Sequence, residues 1–490
     1  MKVRELIKDL DYEVLCGDID REISILANDN RKIEKDCVFV CIEGANFDGH
    51  VAVYDAVDED ASAVIVMKDV EIPEDTETAI IKVKDTREAL ALTSAAFFNY
   101  PTREMKVIGI TGTKGKTTTT YLIKSILENA GYKVGLIGTI ETIIGDEHIP
   151  SKNTTPESYV LQETFRKMAD AGIEICVMEA SSQGFLMKRT LGTEFEIGIF
   201  TNLEPDHIGP NEHESFENYL ECKAMMFKQC KVGIVNADDE HVDEILKGHT
   251  CEVLKYGMNN AADYKAENIE LYEQKGTLGI SFDILGKINT RVEIDMPGKF
   301  SLYNALTAVA VCSYLNIGED DIKSALKSAK VKGRIEMVPV SDDFTLMIDY
   351  AHNAMALESL LTTLKEYESG RLVCLFGCGG NRARSRRFEM GEVSGRLADL
   401  TIITSDNPRY EDPLDIISDI VTGIEKTDGK YVKIPDRKEA IKYAIENGKK
   451  GDIIVLAGKG HEDYQEIEGK KYPMDERVLI SEVLEELNNV

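Results

Sequence analysis

Positive charge is what this chain is short of: 57 Lys and Arg face 87 Asp and Glu, a formal charge of -30 over 490 residues. Binding nucleic acid or an anionic membrane by general attraction needs a broad basic surface, so both classes are excluded. Any anion held here must meet a local concentration of Arg and Lys. Long apolar runs are also missing: no stretch approaches the roughly 18 to 20 residues of a membrane span. The opening MKVRELIKDL lacks the apolar core of a secretory signal, so a cytoplasmic protein is expected. The ten cysteines (Cys16, Cys37, Cys41, Cys176, Cys222, Cys230, Cys251, Cys312, Cys374 and Cys378) show no paired metal spacing. They lie mostly within apolar segments and read as buried reduced thiols. No repeat or low-complexity segment is present. A hydrophobic content of 43% supplies real cores, and the length corresponds to about three domains of ordinary size.

What is present is a phosphate cradle. Residues 107–121 read VIGITGTKGKTTTTY, a β-rich alternating strand, a loop of Gly112, Thr113, Lys114, Gly115 and Lys116, then a helix beginning at Thr117 and Thr118. Leu122, Ile123, Ile126 and Leu127 fall on one helical face, and Gly131 offers a C-cap. In that order the loop N–H groups point at a phosphate, Lys116 reaches its outer oxygens and Thr117 can ligand magnesium. The longer consensus fails, because Ile110 stands where a further glycine belongs. A guanine-nucleotide switch would use the same loop, but its NKxD motif is absent.

Further strand-like runs, EICVMEAS, EIGIFTN and GIVNAD, follow the loop with helical segments between them. Such alternation predicts a mainly parallel sheet with its site at the carboxyl edge of the strands. Glu179, ending ICVME, stands where an acid would hold magnesium. Before this part, CVFVCIEG and SAVIVMKD precede an alanine-rich helix that stops at Pro101. After it, FTLMIDYAHN, RLVCLFGCGG, LTIITSDNPR and DIIVLAGKGHE each run from an apolar strand into a polar end. The division by pattern is 1–100, 101–330 and 331–490, all α/β, with a central phosphate-loop ATPase domain and a Rossmann-like C-terminal domain. A cleft between the last two is the expected active site.

The blocks GTKGKTT, NTTPES, MEASSQG, FTNLEPDH, YLECKAMMF, GRIEMV, DYAHN, FGCGGNRARSRR, SDNPRYEDP and AGKGHEDYQ stand in the order seen in the Mur ligases, and the chain resembles that family over nearly its whole length. The last blocks resemble members that add a diamino acid to UDP-N-acetylmuramoyl-L-alanyl-D-glutamate. The resemblance implies an ATP- and Mg2+-dependent amide ligase of peptidoglycan synthesis, a monomer, with residues 1–100 binding the UDP-substrate. By the same resemblance, His207 contacts metal or substrate and Lys223 is carbamylated, converting a cation into a metal-binding carboxylate. Desolvation, which favours the neutral amine, suits that reaction with carbon dioxide. Asn304 is implied near the adenine, and Arg334, Asp349 and His352 near the phosphates, completing the site on closure.

On the acyl side, Asn30, Asn153, Thr154, Thr155, Ser181 and Arg189 match positions that contact the muramoyl-dipeptide. Asn30, Gln183 and Met187 replace the usual Ser, His and Gln, and DHIGPNEHESFENY looks about two residues longer than usual. On the amino-acid side, Asp406, Asn407, Pro408 and Arg409, with Arg382, Gly458 and Glu462, match ligases taking meso-diaminopimelate. That substrate carries one carboxylate more than lysine, and guanidinium groups bind carboxylates bidentately. A lysine-adding relative, a paralogue with another acyl substrate, a folylpolyglutamate-synthetase-like ligase and a non-catalytic ATP-binding descendant remain open alternatives.

Overall fold

The computed structural model describes the chain except residues 45–46, 73–75, 210–211, 275, 368–369 and 489–490. Pro210 and Asn211, within the long segment before the lysine helix, therefore lie outside the described residues. The chain forms two compact units, residues 1–262 and 263–490. No described helix is long and apolar enough to cross a membrane.

The first unit opens with a five-stranded sheet in the order Tyr12–Cys16, Ala79–Val83, Ala63–Val66, Cys37–Val40, Ile25–Ala27. Only the outermost strand Tyr12–Cys16 runs antiparallel. Alternate residues of one strand feed opposite cores: Val38 and Val40 pack with Ala89, Leu90 and Ala96 of the helix Thr86–Phe97, while Cys37 and Phe39 pack on the other face with Ala52, Val53 and Ala56. Asp85 caps that helix, its carboxylate accepting from the N–H groups of Arg87 and Glu88.

The second sheet of this unit carries the phosphate loop. From one side its order is Glu252–Gly257, Cys230–Asn236, Phe195–Phe200, Lys106–Thr111, Ile175–Glu179 and Val134–Ile137, all parallel. The strands Glu141–Ile144 and Glu147–Pro150 extend it antiparallel. The expected alternation in the first strand is not what forms: Val107 to Thr111 are all buried, because a central parallel strand is covered on both faces. Later strands add to both sides of it, which makes its carboxyl end a topological switch point where α/β folds bind ligands. Register puts Glu179 beside Ile110 and Phe200 beside Thr111, so three strand ends meet there.

The second unit begins with an antiparallel meander, Tyr264–Gln274, Thr277–Gly286 and Thr290–Ile294, followed by the helices Gly298–Tyr314 and Glu319–Ser328. A six-stranded sheet then runs in the order Glu336–Val338, Thr345–Asp349, Ile453–Ala457, Leu372–Phe376, Leu400–Ile403, Tyr431–Lys433, parallel except for the first strand. Its faces again alternate, Met347, Cys374, Phe376 and Val455 to one core and Leu346, Ile348, Leu375 and Leu456 to the other. Asp349, Phe376 and Ala457 are in register at the carboxyl edge. The loops carrying His352, Arg382 and Gly458 all leave from that edge.

Candidate active site

In the first unit the loop wraps as its sequence predicts. Gly115 (φ +84°) starts the helix Lys116–Asn129, directing the positive end of that helix at the cradle. At Gly112 (φ +149°) a Cβ would stand 1.9 Å from Thr201 Oγ1, so only glycine fits. Lys116 Nζ folds back onto the carbonyls of Gly112 (2.8 Å) and Thr113 (3.0 Å). Lys114 is tied down twice, its N–H donating to Asn202 Oδ1 (2.8 Å) and its ammonium to Glu204 Oε2 (2.6 Å).

Glu179 is 1% exposed and is the hub of this subsite. Its Oε1 accepts from Thr117 Oγ1 (3.0 Å) and Thr139 N (2.9 Å), and its Oε2 from Thr139 Oγ1 (3.0 Å). Thr139 passes the connection to Thr154 (3.0 Å). Thr155 Oγ1 donates to the Glu179 carbonyl (3.0 Å), accepts from Ser181 N (2.9 Å), and its own carbonyl accepts from Arg189 Nη1 (3.0 Å). Arg189 also pairs with Glu157. Thr154, Thr155, Ser181 and Arg189 are thereby brought to Glu179. Asn153 is exposed beside them, and Asn30 is exposed at the start of a short turn capped by Asp29.

Lys223, on the helix Phe216–Ala224, is 1% exposed. Its Nζ donates to the Gly112 carbonyl at 2.8 Å and lies 4.4 Å from the ring centre of Tyr219. Burial, followed by the nearby Lys116 cation, pushes its pKa well below the usual lysine value. Tyr219 itself hydrogen-bonds Thr113 Oγ1 at 3.0 Å, joining the lysine helix to the phosphate loop. His207 does not join Thr117 and Glu179: its side chain is 56% exposed and pairs with Glu212 (3.2 Å) and Asp206 (3.8 Å). Among the described residues no group of three or more His, Cys, Asp or Glu gathers to hold a metal. The histidine buried here is His213, between Ser182 Oγ and Asn218 Oδ1 (both 2.9 Å) and against the Tyr219 ring. In NEHES it reads as a surface residue, so no sequence signal marked it; nor did any mark Thr139 or Tyr219.

In the second unit Asn304 is half-buried on the helix Gly298–Tyr314. Asp349 accepts from the N–H groups of Ile335 (2.9 Å) and Ala351 (2.8 Å), and burial raises its pKa against the pull of Arg334. The Arg334 guanidinium lies 4.6 Å from the Tyr350 ring centre, with its buried Nε unpartnered. His352 and His461 flank the same ring at 4.6 and 4.7 Å. Burial first, then Arg334, Lys332 and Arg477, lower the His461 pKa to about 4, so its imidazole is neutral at pH 7. Tyr350 and His461 were not among the residues singled out above.

The amino-acid loops form a second network. Gly458 N donates to the Asp349 carbonyl (3.1 Å), and Gly380 N to the Asn407 carbonyl (2.8 Å). Arg409 (φ +52°) donates from Nε to Glu466 Oε2 (3.0 Å) and from Nη1 to the Gly380 carbonyl (2.8 Å). Asn407 Nδ2 donates to Glu462 Oε2 at 2.9 Å. Pro408 is buried, whereas Arg382 is exposed. Lys459, which sequence reasoning passed over, is buried among Asp406, Asn407 and Glu462.

A phosphate cradle at a sheet switch point, with an acid at the neighbouring strand end, on a chain whose last sheet gathers charged loops, defines a phosphate-loop α/β enzyme. Family models for the Mur ligase family catalytic domain, the Mur ligase middle domain and the Mur ligase glutamate ligase domain match residues 22–98, 110–312 and 333–460. The chain belongs to the Mur ligase family and is an ATP-dependent ligase. It is 44% identical to UDP-N-acetylmuramoyl-L-alanyl-D-glutamate--2,6-diaminopimelate ligase 1 of Clostridium acetobutylicum, over 99% of this chain and 100% of that one. It is 41% identical to the ligase of that name, without the number, from Clostridium perfringens, with the same coverage. Among solved structures, one titled as a UDP-N-acetylmuramoyl-L-alanyl-D-glutamate--2,6-diaminopimelate ligase superposes with a TM-score of 0.75 at 28% identity, covering 100% of both chains. MurF from Acinetobacter baumannii shares the fold, with a TM-score of 0.61 at 19% identity over 99% of this chain and 98% of that one.

Proposed function

We propose that this ligase joins meso-2,6-diaminopimelate to the D-Glu γ-carboxylate of UDP-N-acetylmuramoyl-L-alanyl-D-glutamate, in peptidoglycan biosynthesis in the cytoplasm. The observation that carries the choice of amino acid is the loop Asp406–Asn407–Pro408–Arg409, whose arginine is held by Glu466 and Gly380 with Nη2 making no hydrogen bond among the described residues. Relatives at 38–44% identity that are named for this substrate pair support the same reading. In this reading residues 1–100 bind the uridine end, residues 101–330 bind ATP and residues 331–490 receive the amino acid.

The chemistry follows from the energetics of amide formation. A γ-carboxylate oxygen attacks the γ-phosphorus of ATP, the bond to the bridging oxygen breaks, and ADP leaves an acyl phosphate. The deprotonated amine then attacks the acyl carbon and phosphate departs. Positioning and charge neutralisation dominate such a transfer. Lys116 exchanges its loop carbonyls for phosphate oxygens, and Gly112 to Thr118 supply N–H donors. Magnesium, when bound, offsets phosphate charge; the Thr117 hydroxyl and the Glu179 carboxylate, already 3.0 Å apart, fit it. Carbamylation of the buried Lys223 adds a second anionic group. Asn304 faces the adenine, Arg334, Asp349 and His352 the phosphates, and Asn30, Asn153, Thr154, Thr155, Ser181 and Arg189 the acyl substrate.

ATP-dependent phosphate release, measured with UDP-MurNAc-dipeptide and each amino acid in turn, tests this. Diaminopimelate is expected to exceed L-lysine on the order of 10^4-fold in kcat/KM, because lysine leaves desolvated polar groups unpaired. Efficient use of L-lysine by the wild-type enzyme overturns the assignment.

A further inference from the structure

Among the described residues of the second unit, the most buried cation has no place in the mechanism above. Lys459 is 0% exposed and follows Gly458 at the end of the central strand Ile453–Ala457. An ammonium has three N–H donors, and each is used: Asn407 Oδ1 at 3.1 Å, Glu462 Oε2 at 2.8 Å and the Tyr464 carbonyl at 2.6 Å. Asp406 Oδ1 stands at 3.5 Å. A lysine in a Gly-flanked loop ordinarily reaches water, so complete burial among two carboxylates and an amide is a built arrangement.

Its consequences reach both selectivity loops. Asn407 Oδ1 accepts from Lys459 and from Glu466 N (2.8 Å), and neither atom can do anything but donate. The amide is therefore fixed with Nδ2 toward Glu462 Oε2, at 2.9 Å. Glu462 Oε2 thus receives two donors, while Oε1 makes no hydrogen bond among the described residues. From Asn407 the order passes to Glu466, whose N–H is held by Asn407 and whose carboxylate holds Arg409 at 3.0 Å. One buried ammonium aligns the loop bearing Arg409 with the loop bearing Glu462.

We propose that Lys459 is the positioning residue for amino-acid capture: it orients Glu462 so that Oε1 alone faces an ammonium group of a diamino acid, and sets Asn407 and Glu466 so that Arg409 meets a carboxylate. This rests on the reading that residues 331–490 receive the amino acid. The test is steady-state kinetics on full-length Lys459→Met, Glu462→Gln and the double variant, using whichever amino acid the wild-type enzyme turns over. Lys459→Met is expected to raise the amino-acid KM on the order of 100-fold while the KM for ATP stays within about twofold, and the double variant is expected to be no worse than the worse single. Unchanged amino-acid KM, equal rises for ATP and amino acid, or additive effects overturn the proposal. Should Lys459→Met fail to fold, Lys459→Arg keeps the charge but not the three bonds, and the same KM split, about tenfold, decides. A wild-type enzyme that takes L-lysine instead of diaminopimelate refutes the substrate assignment, yet leaves the Lys459 test readable with L-lysine.

Discussion

Two lysines, one in each unit, are buried almost equally and are chemically opposite. Lys223 is 1% exposed, with one carbonyl at 2.8 Å and an aromatic face as its company. Lys459 is 0% exposed, with Glu462 at 2.8 Å and Asp406 at 3.5 Å. Burial, with the Lys116 cation nearby and no ion pair among the described residues, pushes the Lys223 pKa down, whereas Lys459 is ion-paired with carboxylates. Solvent exclusion alone does not assign a lysine its role; the partners do.

The sharpest break between the two is activity and its rescue. Lys223→Ala is expected to lose on the order of 10^3 in kcat, with partial recovery in small carboxylic acids that stand in for a carbamate. Phosphate release with and without added acetate or formate checks this. No recovery in any carboxylate, or an unmodified mass for the isolated wild-type protein kept in bicarbonate, counts against a carbamylated lysine. Lys116→Ala, on the same loop, is expected to lose a similar factor with no such recovery and an unchanged melting temperature, since it removes charge rather than core volume.

Stability separates them next. Lys459→Met strands Asp406 and Glu462 without their cation and is expected to cost about 3–5 kcal/mol in denaturant unfolding. Lys223→Met has the opposite sign. Burial lowers the folded-state pKa below the usual 10.5, so between the two values the unfolded chain holds a proton that the folded chain lacks, and stability rises with pH. The buried amine thus costs stability at neutral pH, and the cost fades as the pH climbs toward 10.5. Lys223→Met is expected to raise the melting temperature at pH 7 in CO2-free buffer, with the gain shrinking by pH 10. A lower melting temperature at pH 7 would refute the unpaired-amine picture.

Smaller effects test the surroundings of each lysine. Arg409→Ala is expected to cost diaminopimelate about 2–5 kcal/mol in kcat/KM, and L-lysine far less, because lysine has no carboxylate there to lose. Equal losses would assign Arg409 to the shared carboxylate or to the fold. Tyr219→Phe removes only the hydroxyl that holds Thr113, and about 0.5–1.5 kcal/mol in ATP kcat/KM is the expected loss.

Much of this was written in the order of residues. The strands ending at Thr111, Glu179, Asp349 and Ala457 were visible because central parallel strands are continuous apolar runs. The strand Tyr264–Gln274 was not, because it is largely exposed and charged, without the run or the strict alternation that marks strands. Lys116 and Thr117 were legible because local spacing marks the loop, and Glu179 because it ends an apolar strand. His213 and Lys459 were not: NEHES and GKGHE are polar, and polar segments read as surface.

The sequence alone carried the α/β class, the loop and the strand ends, which depend on neighbours within about one helical turn or one strand length, and the family, which rests on the order of ten blocks along the chain. Folding alone settled that His207 lies exposed while His213 is enclosed, that Arg409 is held by Glu466, and that Lys223 makes no ion pair among the described residues while Lys459 makes two. For Arg409, Lys223 and Lys459 the outcome draws on partners dozens of residues apart in the chain: Glu466, Gly112 and Asn407. A side chain's charge and reach are set by what surrounds it, and that is fixed only when distant strand ends come together.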